Sequence, residues 1–153
     1  MRTYRRKPVP HQQYAQKLRS NLTRWLKRKS RRLLSDWLEA ALILMELDLE
    51  PARPILESLY SPDPRGQKPY DPVRMLRALL LMVLLKYTSI TKWAEALKAN
   101  PRLARMAGFK PYDVPVAGAF YAFIDRLEDG EYQKGGFCIS PPKGIFQELF
   151  TLC

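Results

Sequence analysis

The chain has 153 residues, 46% of them hydrophobic, and a formal net charge of +11 from 26 basic and 15 acidic side chains. A chain of this length buries roughly two thirds of its unfolded surface, so we expect one modest domain. Its two cysteines, Cys138 and Cys153, and its one histidine, His11, form no CxxC or Cys/His cluster, which argues against a structural zinc site or a disulfide framework.

The apolar segments are too short for a membrane span. The most apolar run, residues 78–85, falls far below the ~20 residues that cross a bilayer. The basic N-terminus is not followed by the apolar segment and cleavage site of a signal peptide. We therefore expect a cytoplasmic protein with no membrane partner.

The net charge is concentrated in residues 1–35, which we call the basic arm. The arm contains no carboxylate, whereas the other residues hold fourteen basic and fifteen acidic side chains. So dense a positive charge favours a polyanion as partner, because phosphates relieve its self-repulsion, and nucleic acid is the first candidate. The twelve candidate DNA-binding residues are Arg2, Arg5, Arg6, Lys7, Lys17, Arg19, Arg24, Lys27, Arg28, Lys29, Arg31 and Arg32.

Part of the arm has the periodicity of a helix. A leucine seam and a cationic stripe lie on different faces, formed respectively by Leu18, Leu22, Leu26 and Leu33 and by Arg24, Lys27, Arg28 and Arg31. Like charges at this spacing oppose helix formation, so the arm is expected to be helical or disordered and to become ordered when phosphate neutralises it. Trp25 and Tyr14 have two interpretations: their rings stack on nucleic-acid bases, or they belong to the hydrophobic core.

Helix signals continue along the rest of the chain. Asp36 and Glu39 resemble a capping pair that starts an apolar helix, which Pro51 and Pro54 interrupt before a short helix within residues 55–60. Further helices are predicted over residues 72–85, starting at Asp71-Pro72, over 90–98 after Ser89, and from Asn100-Pro101 to Gly108.

The last predicted helix carries an apolar stripe formed by Phe120, Phe123, Ile124 and Leu127 and ends at Gly130. No confident structure is predicted for the tail from Tyr132, which glycine and proline pairs break repeatedly. Because no run of alternating apolar residues is long enough for a strand, the fold class is all-α, a small multi-helix domain with a basic N-terminal arm.

Two features of this region invite functional interpretations. The helices over 72–85 and 90–98 have helix-turn-helix proportions, but they also fit a plain helical hairpin, since the usual turn glycine is missing. A dense acidic group, formed by Asp125, Glu128, Asp129 and Glu131, is interpreted as a solvated helix end rather than a metal site. No fingerprint of a hydrolase nucleophile, zinc protease, P-loop or dinucleotide site is present.

Several of these segments, taken in order, resemble a known family. They are Tyr70-Asp71-Pro72, Met75 to Leu80, Ser89, Trp93 to Leu97, Asn100, Leu103, Ala107-Gly108-Phe109, Pro115, and Phe120-Tyr121-Phe123-Asp125-Arg126-Leu127. This order is similar to the N-terminal domain of DDE transposases of the IS4/IS5-type insertion-sequence group. The resemblance implies an all-helical module that helps to bind transposon ends and to assemble the protein, ahead of a catalytic RNase H-like domain.

The resemblance stops after about Lys134. The family's three metal-binding carboxylates would follow on an RNase H-like fold, but none of them can be carried over to residues 135–153. We therefore expect no catalytic residue, metal or other cofactor, and interpret the chain as a frameshifted or truncated copy, an excised domain or a retained DNA-binding fragment.

The resulting domain prediction is a nucleic-acid-binding arm over 1–35, a helical body over 36–131 and an irregular tail over 132–153. The predicted function is double-stranded DNA binding and self-association in DNA transposition, in the nucleoid of a bacterial cytoplasm, with no small-molecule ligand. Two alternatives stay open. One is a helical multimeriser that regulates a full-length transposase, with an interface formed by Trp37, Leu44, Leu47, Leu22, Leu26 and Leu33. The other is a small basic RNA-binding protein.

Overall fold

A computed structural model describes residues 8–27, 31–60 and 69–135 of the chain. Its helices are α1 (His11–Leu26), α2 (Arg31–Glu46), a 3-10 turn (Glu50–Ala52), α3 (Arg53–Glu57), α4 (Pro72–Leu84), α5 (Ile90–Ala99), α6 (Pro101–Ala107) and α7 (Ala117–Gly135). No strand occurs within these three ranges, and the all-α prediction is confirmed.

Local capping residues start and end the central helices where the sequence predicts. The Asp71 carboxylate accepts a hydrogen bond from the Arg74 backbone N–H at the start of α4, and the Ser89 hydroxyl accepts one from the Lys92 N–H in α5. Gly108 ends α6 in the left-handed conformation at φ 95°, where glycine avoids the steric cost of a Cβ atom.

Two predicted helix ends are wrong. α2 begins at Arg31, so the Asp36–Glu39 pair lies within the helix and does not cap it. α7 passes through Gly130 and continues to Gly135. One glycine inside a helix costs only about 1 kcal/mol, and arginine and leucine are good helix formers, so neighbouring residues override both local patterns.

α1 contributes to the same core as the later helices. Four of its side chains, Tyr14, Leu18, Leu22 and Trp25, are at most 5% exposed and join one cluster. The cluster also includes Ala41, Leu44, Leu56, Ala78, Leu81, Trp93, Leu97, Leu103, Phe120, Phe123 and Leu127. The predicted stripe on α7 is confirmed, with Ile124 half-buried beside it.

For α1, this placement corrects the expectation that the arm becomes ordered only when phosphate neutralises it. The charge argument considered repulsion along one helix, whereas burial of four large side chains opposes that repulsion. The core therefore includes residues from both sides of the boundary predicted after residue 35. The functional division at this boundary, between a nucleic-acid-binding arm and a helical body, stays a prediction. No helix in the described ranges is long and apolar enough to traverse a membrane.

Candidate nucleic-acid interface

The structure separates the twelve predicted DNA-binding residues into three groups. Lys17, Arg19, Arg24 and Lys27 are exposed on α1 or directly after it. Arg31 and Arg32 form the beginning of α2. The remaining six, Arg2, Arg5, Arg6, Lys7, Arg28 and Lys29, lie outside the described residues.

α1 has a basic exposed side and an apolar buried side. Its sixteen residues include no carboxylate, and no ion pair joins Lys17, Arg19 or Arg24 to a carboxylate in the part of the chain that the structure describes. Trp25 is only 3% exposed and Tyr14 only 5%, so their core interpretation is confirmed. Neither ring is accessible for stacking on bases, and the exposed side of α1 therefore offers charge rather than aromatic surface.

Tyr14 fixes α1 to the body through two contacts. Its hydroxyl donates a hydrogen bond of 2.5 Å to the Met106 carbonyl in α6. The Cζ atom of Arg77, a residue only 2% exposed, lies 3.7 Å from the centroid of the Tyr14 ring. Burial raises the pKa of Tyr14 to about 12, against the opposing effect of the Arg77 charge. Burial also lowers the pKa of Arg77. These buried contacts hold the helix in a defined position.

On the α2 side, the Nε2 atom of His11 lies 2.7 Å from the Met45 carbonyl oxygen, within hydrogen-bonding distance. The beginning of α1 is thereby joined to the end of α2. His11 is thus a packing residue in this structure, consistent with the absence of a zinc cluster from the sequence. The two cysteines lie outside the described residues.

The sequence prediction missed a second group of cations next to α1. Residues 96–112 contain Lys98, Arg102, Arg105 and Lys110 but no carboxylate. The Cζ atom of Arg102 lies 6.0 Å from the centroid of the Trp25 ring, which brings α6 beside the end of α1. A charge count in short windows would have found this segment, whereas the count over the whole body averaged it out.

The helix pair with helix-turn-helix proportions is present as α4 and α5. Lys86 occupies a left-handed position in the connecting turn at φ 64°, the place where such turns often use glycine. On α5, Lys92 and Lys98 are exposed, but Glu95 is exposed among them. The mixed charge of this helix gives it a weaker electrostatic attraction for DNA than the carboxylate-free α1.

The acidic group on α7 lies on an exposed side of the helix. Asp125, Glu128 and Asp129 are exposed. Arg126, between them in the sequence, lies over the Tyr60 ring, with its Cζ atom 4.4 Å from the ring centroid. Within the described ranges, no three His, Cys, Asp or Glu side chains form a group that could hold a metal ion.

Another carboxylate cluster, around Arg53, has a structural role. Arg53 bonds both Glu50 and Asp71, and its Nη2 atom lies 3.2 Å from the second Asp71 oxygen. Burial lowers the pKa of Arg53, but the hydrogen bonds and charges of Glu50 and Asp71 outweigh it and raise the pKa. The ion pairs join α3 to the cap of α4, and Asp71 is only 1% exposed.

The residues predicted for a multimerisation interface are largely internal. Leu22 and Leu44 are at most 5% exposed, so the surface prediction is corrected for these two. Trp37, Leu47 and Leu26 are partly buried against the core, and the side chain of Leu33 lies outside the described part of the structure. Burial against the chain's own helices makes Leu22 and Leu44 unavailable to a partner. Among the α2 residues whose side chains the structure describes, Leu42 and Ile43 are apolar and exposed, at 49% and 40%.

A family model described as a transposase domain (DUF772) matches residues 29–126. No curated protein matches the chain, and no solved structure does. The matched range includes all of α2 to α6 and the first part of α7.

Proposed function

The chain belongs to the DUF772 transposase-domain family, and from this premise we propose that it acts in DNA transposition by binding double-stranded DNA. The observation that carries the proposal is α1, a helix without carboxylates that is fixed by its buried side and exposes its cations. We propose further that the domain corresponds to the N-terminal domain of IS4/IS5-type DDE transposases and works on the bacterial nucleoid.

The geometry of α1 suits the phosphate backbone of a duplex. A helix of sixteen residues is about 24 Å long, close to the rise of seven base pairs at roughly 3.4 Å each. Because Tyr14 and Trp25 are already buried, little further ordering of the helix is required on binding. Contacts to phosphates position a protein without reading sequence, so α1 is proposed to supply affinity and not site selection.

Self-association is a second proposed activity, supported by Leu42 and Ile43. Both are exposed on α2, between the buried residues Ala41 and Leu44 in the sequence. A helical surface of this kind can pack on a second copy or on a full-length transposase. In this proposal the domain binds DNA and assembles, while strand cleavage belongs to a separate catalytic domain.

The test compares two charge-matched double variants in a fluorescence anisotropy titration of duplex DNA. Lys17→Gln with Arg24→Gln removes two exposed cations of α1, and Lys86→Gln with Lys92→Gln removes two exposed cations outside it. At about 0.1 M salt each lost phosphate contact weakens binding about eightfold, so the α1 variant is expected to bind about sixtyfold more weakly than wild type. The control variant should stay close to wild type.

Parallel measurements separate the alternatives. Stronger binding to duplex RNA than to duplex DNA would favour the RNA-binding alternative. Light scattering of the DNA-free protein reports self-association, for which a Leu42→Ser variant is the matched test. Equal affinities of the two double variants would overturn the role proposed for α1.

A further inference from the structure

A second cationic segment lies outside the basic arm and inside the matched family domain. Between Glu95 and Asp113 the chain carries four cations and no carboxylate. We call Lys98, Arg102, Arg105 and Lys110 the α6 cations, because they lie on α6 or within three residues of its ends. Three of them, Lys98, Arg105 and Lys110, are exposed, and Arg102 is half-buried.

α6 is fixed by its apolar side, as α1 is. Its buried residues are Leu103, Ala104, Met106 and Ala107. This arrangement leaves Arg105 on the exposed side, one turn after Arg102. The two arginines therefore lie next to each other along the outer edge of the helix.

Two side-chain contacts join α1 to α6, one near each end of α1. Near the beginning of α1, Tyr14 bonds the Met106 carbonyl near the end of α6. Near the end of α1, the Trp25 ring lies 6.0 Å from the Arg102 guanidinium near the beginning of α6. Arg102, and Arg105 one turn after it, therefore lie next to the helix that carries the exposed cations of the arm.

The cations of α1 also lie on the appropriate side of that helix. His11 contacts α2 through the Met45 carbonyl. By helical geometry, His11 lies on one side of the line from Tyr14 to Trp25, and Lys17 and Arg24 lie on the other. Lys17 and Arg24 therefore project away from α2 and lie next to Tyr14 and Trp25, the two residues of α1 that contact α6.

We propose that the α6 cations and the cations of α1 form one surface, which contacts the phosphates of double-stranded DNA. This inference rests on the proposed function and extends it, because it assigns DNA contacts to α6 residues inside the family domain. Two rigid rows of cations fit the fixed spacing of duplex phosphates better than a flexible single strand, whose bases would require exposed aromatic rings. On α1, Trp25 and Tyr14 do not offer such rings, because they are buried, and Tyr112, the exposed ring beside Lys110, is one ring rather than a row on which successive bases could stack.

The experiment measures duplex-DNA affinity as a function of salt for three double variants of the full chain. Arg105→Gln with Lys110→Gln tests the α6 cations, Lys17→Gln with Arg24→Gln tests α1, and Lys86→Gln with Lys92→Gln is the control. Loss of two phosphate contacts should reduce the slope of log affinity against log salt by about 2 and weaken binding about sixtyfold at 0.1 M salt. We expect this for both test variants and not for the control.

The outcomes distinguish the two proposals. If the α1 variant binds weakly while the α6 variant behaves like the control, the proposed function stands and the α6 inference is overturned. If wild-type protein shows no salt-dependent DNA binding, the proposed function itself fails. A charge-conserving variant, Arg105→Lys with Lys110→Arg, should restore wild-type affinity, and failure to do so would contradict a contact made through charge.

Discussion

Replacing Leu18 by alanine tests whether α1 is part of the folded body when no DNA is present. Leu18 is only 2% exposed and belongs to the core cluster. At about 0.8 kcal/mol for each buried carbon, the three carbons removed account for roughly 2.4 kcal/mol. The cavity left behind raises the expected loss to about 3 to 5 kcal/mol, a large share of the 5 to 15 kcal/mol typical of a domain.

The assay is urea unfolding in DNA-free buffer, followed by far-ultraviolet circular dichroism. Arg19→Ala is the matched control, because Arg19 is the next residue on the same helix and is exposed. Its free energy of unfolding should stay within about 0.5 kcal/mol of wild type. A Leu18→Ala variant as stable as the control would refute the packing of α1 and would restore the prediction of an arm that becomes ordered only on binding.

Three further outcomes are expected. Gly108→Ala should lower the free energy of unfolding by about 1 to 2 kcal/mol, because alanine would have to adopt φ 95° and its Cβ would lie 3.1 Å from Arg77 Nη1. Unchanged urea unfolding would contradict this. Because the pKa of Tyr14 rises from 10.0 to about 12 on folding, its contribution to stability should be constant below pH 10 and fall as the pH rises from 10 to 12. By about pH 11 wild type should lose about 1.4 kcal/mol more than Tyr14→Phe, and parallel pH profiles would argue against the burial. Purified protein with Mg²⁺ should not cleave transposon-end DNA, and cleavage abolished by Asp125→Ala or Glu128→Ala would give the acidic group a catalytic role.

Sequence patterns predicted helix starts well where one capping residue decides the geometry. Asp71, Ser89 and Asn100 each accept a hydrogen bond from a backbone N–H of the helix that follows, and Gly108 takes the left-handed conformation. These interactions involve residues only a few positions apart, so the sequence alone contains them. The pair Asp36–Glu39 had the same pattern but lies inside α2. It cannot act as a cap there, because the backbone N–H groups that follow it already bond the preceding turn of the helix.

The relation of α1 to the rest of the molecule was not predictable in the same way. Its leucine seam was visible, but its partners are far away along the chain: Tyr14 bonds Met106, and Trp25 packs near Arg102. The same separation along the chain made the candidate surface, formed by the cations of α1 and α6, unpredictable from the sequence. The cations of α1 and of α6 are separated by about 80 residues in sequence and come near each other only through the side-chain contacts that join the two helices.

The most direct test of the central claim is the salt dependence of wild-type binding to double-stranded DNA. With about six to ten phosphate contacts, the log of affinity should fall linearly with the log of salt concentration, and affinity should drop at least a thousandfold between about 50 and 200 mM salt. Binding that does not change with salt, or that is absent at the lower concentration, would contradict a DNA interface formed by the cations of α1.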